Sequence, residues 1–254
     1  MNKLACFKTH YSLGRSILTA EKPSGNLEKS QISVFDLALD AKLDHLCVIE
    51  DGITGFLQLA ENCTKNNLKL IYGLRVDITE NALAQDEASL KKRAKYVIFA
   101  KDNVGYKTLI KIFSFATKEG FYYNPCLDFK HLKALWNDNL MLAVPFYDSF
   151  LHQNAFEAHV HIPEFDTIKP IFLLESNELP FDAHLRQKVL DYSSTNGFDT
   201  VEAQSIFYKS KRDFIAYMTF RCINNRTDIE KPELNHFGSD SFNYERWQAE
   251  NSKP

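Results

Sequence analysis

Seven short apolar runs, separated by turn-rich or amphipathic segments, are the feature that most restricts how this chain can fold. Most of them are almost continuously apolar, which is typical of strands buried on both faces, as parallel strands covered by helices are. The predicted strands are KLACFKT (3–9), HLCVIE (45–50), LKLIYGLRVDI (68–78), KYVIFAK (95–101), LMLAV (140–144), KPIFLLE (169–175) and FDTVEA (198–203).

Segments with helical spacing of apolar residues lie between these runs. Ser33 and Ser210 are placed to cap two of them, and Gly120 and Asn196-Gly197 are placed to end two others. The predicted helices cover residues 33–43, 54–67, 103–120, 181–197 and 210–225. Strands that alternate with helices predict an α/β fold, and a closed or nearly closed parallel barrel accommodates seven of them. A doubly wound open sheet is the alternative.

The length of the chain limits the number of domains, and its net charge limits the kinds of partner that it can bind nonspecifically. A chain of 254 residues can bury its core as one barrel domain, predicted here over 1–225, with a polar C-terminal extension over 226–254. A net charge of −3 excludes an overall basic field that would hold nucleic acid nonspecifically. The stretch SLKKRAK (89–95) is a local basic segment, for which a solvated loop or helix end is the simpler interpretation.

The five cysteines and the lengths of the apolar runs predict the cellular compartment of the protein. The cysteine count is odd and no Cys-x-x-Cys pair occurs, which is typical of reduced, mostly buried thiols in a cytoplasmic protein. The N-terminus lacks the pattern of a signal peptide, and no apolar run approaches the length of a membrane span. We therefore predict a cytoplasmic protein without a membrane partner.

The predicted strand ends, where α/β folds collect their functional side chains, carry several cations. A two-metal hydrolase needs several histidine and carboxylate ligands, whereas protonated Lys and Arg offer no lone pair and repel a divalent ion. This pattern predicts no metal cofactor and no catalytic residue. The candidate binding residues at the predicted barrel mouth are Lys8, His10, Glu50, Asp51, Arg75 and Lys95.

One long stretch resembles a known family. YVIFAKDNVGYKTLIKIFSFATKEGFYYNP (96–125) is similar to the segment LLAKNxxGYxNLxKLxSxAxxEGFYYxPR of the PHP (polymerase and histidinol phosphatase) domain of bacterial DNA polymerase III α subunits. GFLQLAENCTKNNLKLIYGLRV (55–76) resembles the family's helix-then-strand segment ending IKPIIGCEV, and THYSLGRSIL (9–18) resembles HSEYSLLDG. The resemblance implies a distorted seven-stranded (β/α) barrel of PHP type over residues 3 to about 225.

The resemblance also implies where the family's metal ligands fall in this sequence. They fall on Cys6 and Lys8 in the first strand, on Glu50 and Asp51 after the second, on Arg75, on Lys95, near Pro145 or Phe146, and on Ser205 and Phe207. These replacements imply a PHP fold that has lost its metal site. We expect Glu50 and Asp51 to pair with the three new cations, while an anion pocket for phosphate and side chains splayed into solvent are the alternatives.

The function implied is a non-catalytic protein-binding or scaffold module in DNA replication, with a polymerase or a proofreading exonuclease subunit as partner. The likeness ends before any polymerase catalytic region, so we expect no DNA synthesis; a free-standing homologue, viral ones included, and a piece of a longer chain both fit. The alternative is a metal-dependent phosphoesterase or 3′–5′ exonuclease with an atypical site built from His10, Glu50, Asp51 and Cys6. Nucleic acid held by the basic stretch around Arg93 is a third, weaker idea.

Overall fold

The chain is described by a computed structural model that covers residues 3–29, 31–84, 86–231 and 237–252. All seven predicted strands are present, and one further strand, β5, was not predicted. The strands are β1 (Leu4–Phe7), β2 (His45–Glu50), β3 (Lys69–Thr79), β4 (Ala94–Ala100), β5 (Cys126–Asp128), β6 (Leu140–Val144), β7 (Ile171–Leu174) and β8 (Thr200–Ile206).

The strands form one hydrogen-bonded sheet in the order β2-β1-β8-β7-β6-β4-β3-β5. A further pairing between β2 and β3 closes seven of them into a barrel, and β5 lies outside this ring, paired with β3. The prediction of an α/β barrel is therefore confirmed, and the open doubly wound sheet is wrong.

The barrel is not wholly parallel, which corrects one part of the prediction. β1 pairs in parallel with β2 and β8, and β6 with β7, but β4 and β6 are antiparallel, with Val97 opposite Ala143. Parallel neighbours are normally joined by one crossover helix. β4 and β6 are instead joined through two helices and the intervening β5, so the connection does not impose a parallel arrangement.

All five predicted helices are present, and Ser33 caps the first of them as predicted. Ser210 is the N-cap residue of a 3₁₀ turn, Lys211–Asp213, that leads directly into the last predicted helix, and its amide and hydroxyl both donate to the Asp213 carboxylate at 2.9 Å. The helices are α1 (Val34–Asp40), α2 (Phe56–Lys65), α3 (Glu87–Lys91), α4 (Asn103–Lys118), α5 (Phe129–Leu135), α6 (Phe150–Ala155), α7 (Asp182–Asn196), α8 (Phe214–Asn225) and α9 (Tyr244–Asn251).

The chain divides into two compact units, each with its own core. The first unit comprises Met1–Tyr72, Glu175–Asp182 and Glu202–Pro254, and the second comprises Gly73–Leu174 and Ala183–Val201. In the second unit the core is an aromatic cluster in which the ring of Phe150 lies 5.4 Å from that of Tyr192 and 6.3 Å from that of Phe172.

The C-terminal stretch contributes to the core of the first unit. The indole Nε1 of Trp247 in α9 donates to the carbonyl oxygen of Lys3 at 2.8 Å, and the hydroxyl of Tyr244 donates to Asp40 at 2.6 Å. Both aromatic side chains are buried. The C-terminal stretch, predicted as a polar extension, thus includes the helix α9, whereas its residues 232–236 lie outside the described residues.

All five cysteine side chains are buried, as predicted. Across the described part of the chain, no helix combines the length and the apolar character needed to cross a membrane.

Replacing Ser33 with alanine is expected to lower the free energy of unfolding by about 1 kcal/mol. The Ser33 hydroxyl accepts from the Phe35 amide at 3.2 Å, and Asp36 completes a capping box, so the variant leaves the first turn of α1 without its cap. Urea unfolding measures the loss. The control is Ser194→Ala on the exposed side of α7, which should change stability by less than about 0.5 kcal/mol; equal losses in both variants would contradict the capping role.

Candidate functional site

Lys8 follows β1 in the first unit and is almost completely buried, with 7% of its side chain exposed. Its Nζ lies 3.3 Å from Oδ1 of Asp51, which follows β2. β1 and β2 are parallel neighbours, so the residues after their carboxyl ends meet at the same edge of the sheet. The predicted pairing of Lys8 with Asp51 is confirmed.

Glu50, at the end of β2, holds the turn that follows β1. Its buried carboxylate accepts from the amide of Thr9 at 2.9 Å, from the hydroxyl of Thr9 at 2.6 Å, and from the hydroxyl of Ser12. Burial raises the pKa of Glu50, and the charge of Lys8 offsets part of that rise. The hydrogen bonds of Glu50 thus go to hydroxyl and amide groups, and its predicted pairing with a cation is limited to the nearby charge of Lys8.

His10 lies in the same turn and is half-buried, with its ring centroid 4.5 Å from that of Tyr11. Its Nδ1 atom is buried and has no hydrogen-bond partner among the residues that the structure describes. His10 thus lies two residues after Lys8, in the turn that Glu50 holds through Thr9.

Glu175, after β7, forms a second buried carboxylate group in the first unit. It accepts from the amide of Ser205 at 2.9 Å, from the hydroxyl of Ser205 at 2.8 Å and from the side-chain amide of Asn177 at 2.9 Å. Burial raises its pKa. The sequence placed Glu175 and Ser205 at strand ends, but they were not among the candidate binding residues.

Cys6 lies between the Glu50 group and the Glu175 group in the sheet. It pairs with Cys47 in β2, the strand that ends at Glu50, and with Ser205 in β8, which donates to Glu175. A hydrogen bond to Cys47 is the main cause that raises the pKa of the Cys6 thiol, and burial adds to the rise. Cys6 is thus held as a protonated thiol at neutral pH.

In the second unit, Arg75 and Lys95 each pair with an aspartate. The guanidinium of Arg75, 9% exposed, bonds to the carboxylate of Asp148, and Nζ of Lys95 lies 2.6 Å from Oδ2 of Asp77. The expectation that Glu50 or Asp51 pairs with Lys95 is therefore wrong. Asp77 was detectable in the sequence, because residues two apart on a strand share a face and Arg75 precedes it by two.

The backbone reinforces the Arg75–Asp148 pair. The amide of Lys95 donates to the carbonyl oxygen of Asp148 at 2.8 Å, and the amide of Asp148 donates to Nδ1 of His152 at 3.2 Å. Asp148 has a φ of +60°, a conformation that Asp adopts more readily than most residues. These two hydrogen bonds hold the turn after β6 in the conformation in which the Asp148 carboxylate contacts the Arg75 guanidinium.

The basic stretch over 89–95 is largely engaged in the fold of the second unit. Arg93 donates to the carbonyl oxygens of Ser89 at 3.0 Å and of Tyr122 at 3.2 Å, and Lys91 pairs with Glu87 at 2.7 Å. This arrangement favours the interpretation of a structured helix end over a free basic patch.

The six candidate binding residues thus separate into Lys8, His10, Glu50 and Asp51 in the first unit, and Arg75 and Lys95 in the second. Within the described residues, no group of three or more His, Cys, Asp and Glu side chains is arranged to hold a metal ion.

Comparison with known proteins gives the family. The family model of the PHP domain matches residues 28–165, which is more than half of the chain. The DNA polymerase III subunit alpha of Treponema pallidum is 21% identical over 252 residues, which cover 95% of this chain and 21% of that protein. The DNA polymerase III subunit alpha of Aquifex aeolicus is 22% identical over 162 residues, which cover 61% of this chain and 14% of that protein.

The chain thus spans about a fifth or less of the length of these relatives. The family match covers β2 to β6 and the helices between them, and the longer alignment extends over nearly the whole chain. The closed α/β barrel agrees with both findings. The chain belongs to the PHP domain family.

Proposed function

We propose that this chain is a non-catalytic PHP domain that serves as a protein-binding or scaffold module in DNA replication. One observation carries the proposal. At three positions where the resemblance expects metal ligands, this chain has cations, Lys8, Arg75 and Lys95, and each is paired with a carboxylate.

The chemistry of these side chains does not fit a multinuclear metal centre. Protonated Lys and Arg have no lone pair to donate to a metal. Their charge also repels a divalent ion, at a cost of several kcal/mol where water is largely excluded. Asp51, Asp148 and Asp77 are each bonded to one of these cations, so the replacements form a consistent set of ion pairs.

The partner proposed is a replication protein, such as a polymerase or a proofreading exonuclease subunit. The support is the relationship to DNA polymerase III alpha subunits, of which this chain matches only a minor part. Binding to a partner protein requires the surface of the domain and not a metal site. A PHP domain without a metal site therefore still has what the proposed binding role needs.

Protein purified without chelator and then supplied with Zn²⁺, Mn²⁺ or Fe²⁺ is expected to retain substoichiometric metal and to release no phosphate from DNA in a chelator-sensitive manner. Elemental analysis and a phosphate-release assay measure the two quantities. Stoichiometric metal together with chelator-sensitive release would establish the alternative, a metal-dependent phosphoesterase or exonuclease.

A gain-of-binding variant provides the matched comparison. Cys6→His in β1 and Lys8→His directly after it, both in the first unit, together restore the two histidines that the resemblance expects in the first strand. This variant is expected to bind more metal than the wild type when both are folded by circular dichroism. Equal metal content would mean that Lys8 does not occupy a former ligand position.

A further inference from the structure

Helix α8 of the first unit exposes an apolar stripe, defined here as Ile215, Thr219 and Ile223. Ile215 is 63% exposed and Ile223 is 70% exposed, while Tyr217 and Met218 on the opposite side are buried. Residues four apart lie on one face of a helix, and the stripe extends over about 12 Å. The two exposed isoleucines thus share one face of α8, whereas apolar residues scattered singly over a surface need no explanation.

A cavity of about 570 Å³ lies beside the stripe, and it provides room for an incoming side chain. It is open to solvent along α8, and its lining combines aliphatic groups with one cation and one anion. The lining includes Thr219, Cys222, Ile223, Arg226, Asp228 and Ile229.

One arginine lies at each end of the α8 stripe. Arg212 and Arg226 each lie seven residues from Thr219, one before α8 and one at its C-cap. Both side chains are exposed, and neither guanidinium forms an ion pair with any residue in the described part of the chain. The spacing Arg-x₂-Ile-x₃-Thr-x₃-Ile-x₂-Arg is therefore symmetric about Thr219.

This symmetry argues against a second copy of the chain as the occupant. In an antiparallel pair of α8 helices centred on Thr219, Arg212 of one copy would face Arg226 of the other. In a parallel pair, each arginine would face its own counterpart. Both arrangements place like charges opposite each other, which is destabilising. Aliphatic isoleucines also cannot supply the aromatic surface on which nucleic-acid bases stack.

We propose that the α8 stripe is a docking site for an amphipathic helix of a partner protein that carries apolar residues four apart and carboxylates at both ends. The apolar side chains would pack against Ile215 and Ile223, with one entering the adjacent cavity. The carboxylates would pair with Arg212 and Arg226. The inference rests on the proposed function, because it gives that binding role a surface and a partner chemistry.

Two synthetic helical peptides with identical apolar positions test the proposal, one with glutamates at both ends and one with lysines. Fluorescence anisotropy with the full chain is expected to detect binding of the glutamate peptide. Ile223→Asp should weaken that binding about tenfold or more, as loss of an apolar anchor does. The control Leu57→Asp, on α2 with 67% exposure, should leave it unchanged. Thermal unfolding by circular dichroism verifies that both variants fold.

The charge-reversed variant Arg212→Glu/Arg226→Glu is expected to prefer the lysine peptide. Absence of binding by either peptide, or equal binding of both, would overturn the proposal. A wild-type dimer that Ile223→Asp dissociates, or binding to phosphatidylcholine–phosphatidylglycerol vesicles that Ile223→Asp abolishes, would assign the stripe to another occupant. Metal-dependent phosphate release would contradict the proposed absence of catalysis without altering the peptide result, so the two failures are distinguishable.

Discussion

Arg75→Met is expected to lower the free energy of unfolding by about 3–5 kcal/mol, because it removes the guanidinium that is bonded to the largely buried carboxylate of Asp148. The side chain of Asp148 is only 17% exposed, so solvent cannot replace the lost partner fully. Urea denaturation monitored by circular dichroism measures the loss, with an unchanged m-value as evidence that the folded and unfolded states have otherwise kept their compactness.

Two comparison variants separate this effect from a general loss of charge. The double variant Arg75→Met/Asp148→Asn removes both charges and keeps a residue type that tolerates a positive φ at position 148, so it should recover much of the stability. Lys91→Met breaks the exposed pair with Glu87 and should cost less than about 1 kcal/mol. A double variant as unstable as Arg75→Met alone would mean that the guanidinium acts mainly through packing.

The sequence was sufficient for the strands of the barrel because each is an apolar run long enough to be distinguished from its surroundings. β5 escaped prediction because Cys126–Asp128 is only three residues long and has no alternation of its own. The antiparallel pairing of β4 with β6 could not be predicted either, because an apolar run has the same pattern whether its strand is parallel or antiparallel to its neighbour. The long connection through α4, β5 and α5 is compatible with either direction, so it does not reveal the pairing either.

The site was predictable where it depends on neighbouring strands and not where it depends on turn geometry. Lys8 and Asp51 follow adjacent parallel strands, so their pairing follows from the fold. Asp148 lies in a turn, and its contact with Arg75 depends on a left-handed backbone conformation that the sequence does not specify. The sequence therefore shows which charge lies at a strand end, whereas the residue that pairs with it also depends on the geometry of the turns.

Glu50→Ala is expected to cost about 3–5 kcal/mol, because three donors in the turn after β1 would lose their acceptor and Lys8 would lose a nearby negative charge. Glu50→Gln retains one acceptor oxygen and the side-chain shape, so its loss should be smaller. Glu61→Ala on the exposed surface of α2 is the control and should change stability by less than about 0.5 kcal/mol. Similar losses for the alanine and glutamine variants would indicate that the charge of Glu50 matters more than its hydrogen bonds.

The stability difference between the wild type and Glu50→Gln should also depend on pH. Burial raises the pKa of Glu50 in the folded protein, so the folded state keeps this proton to a higher pH than the unfolded chain, whose glutamate pKa is about 4.3. The contribution of Glu50 to stability is therefore greatest below that value and is lost as the pH rises through the folded-state pKa. In urea denaturation from pH 4 to pH 7, the advantage of the wild type over Glu50→Gln should be widest at the acidic end and narrow towards neutrality. An advantage that grows with pH would mean that Lys8 outweighs burial and holds Glu50 in its charged form.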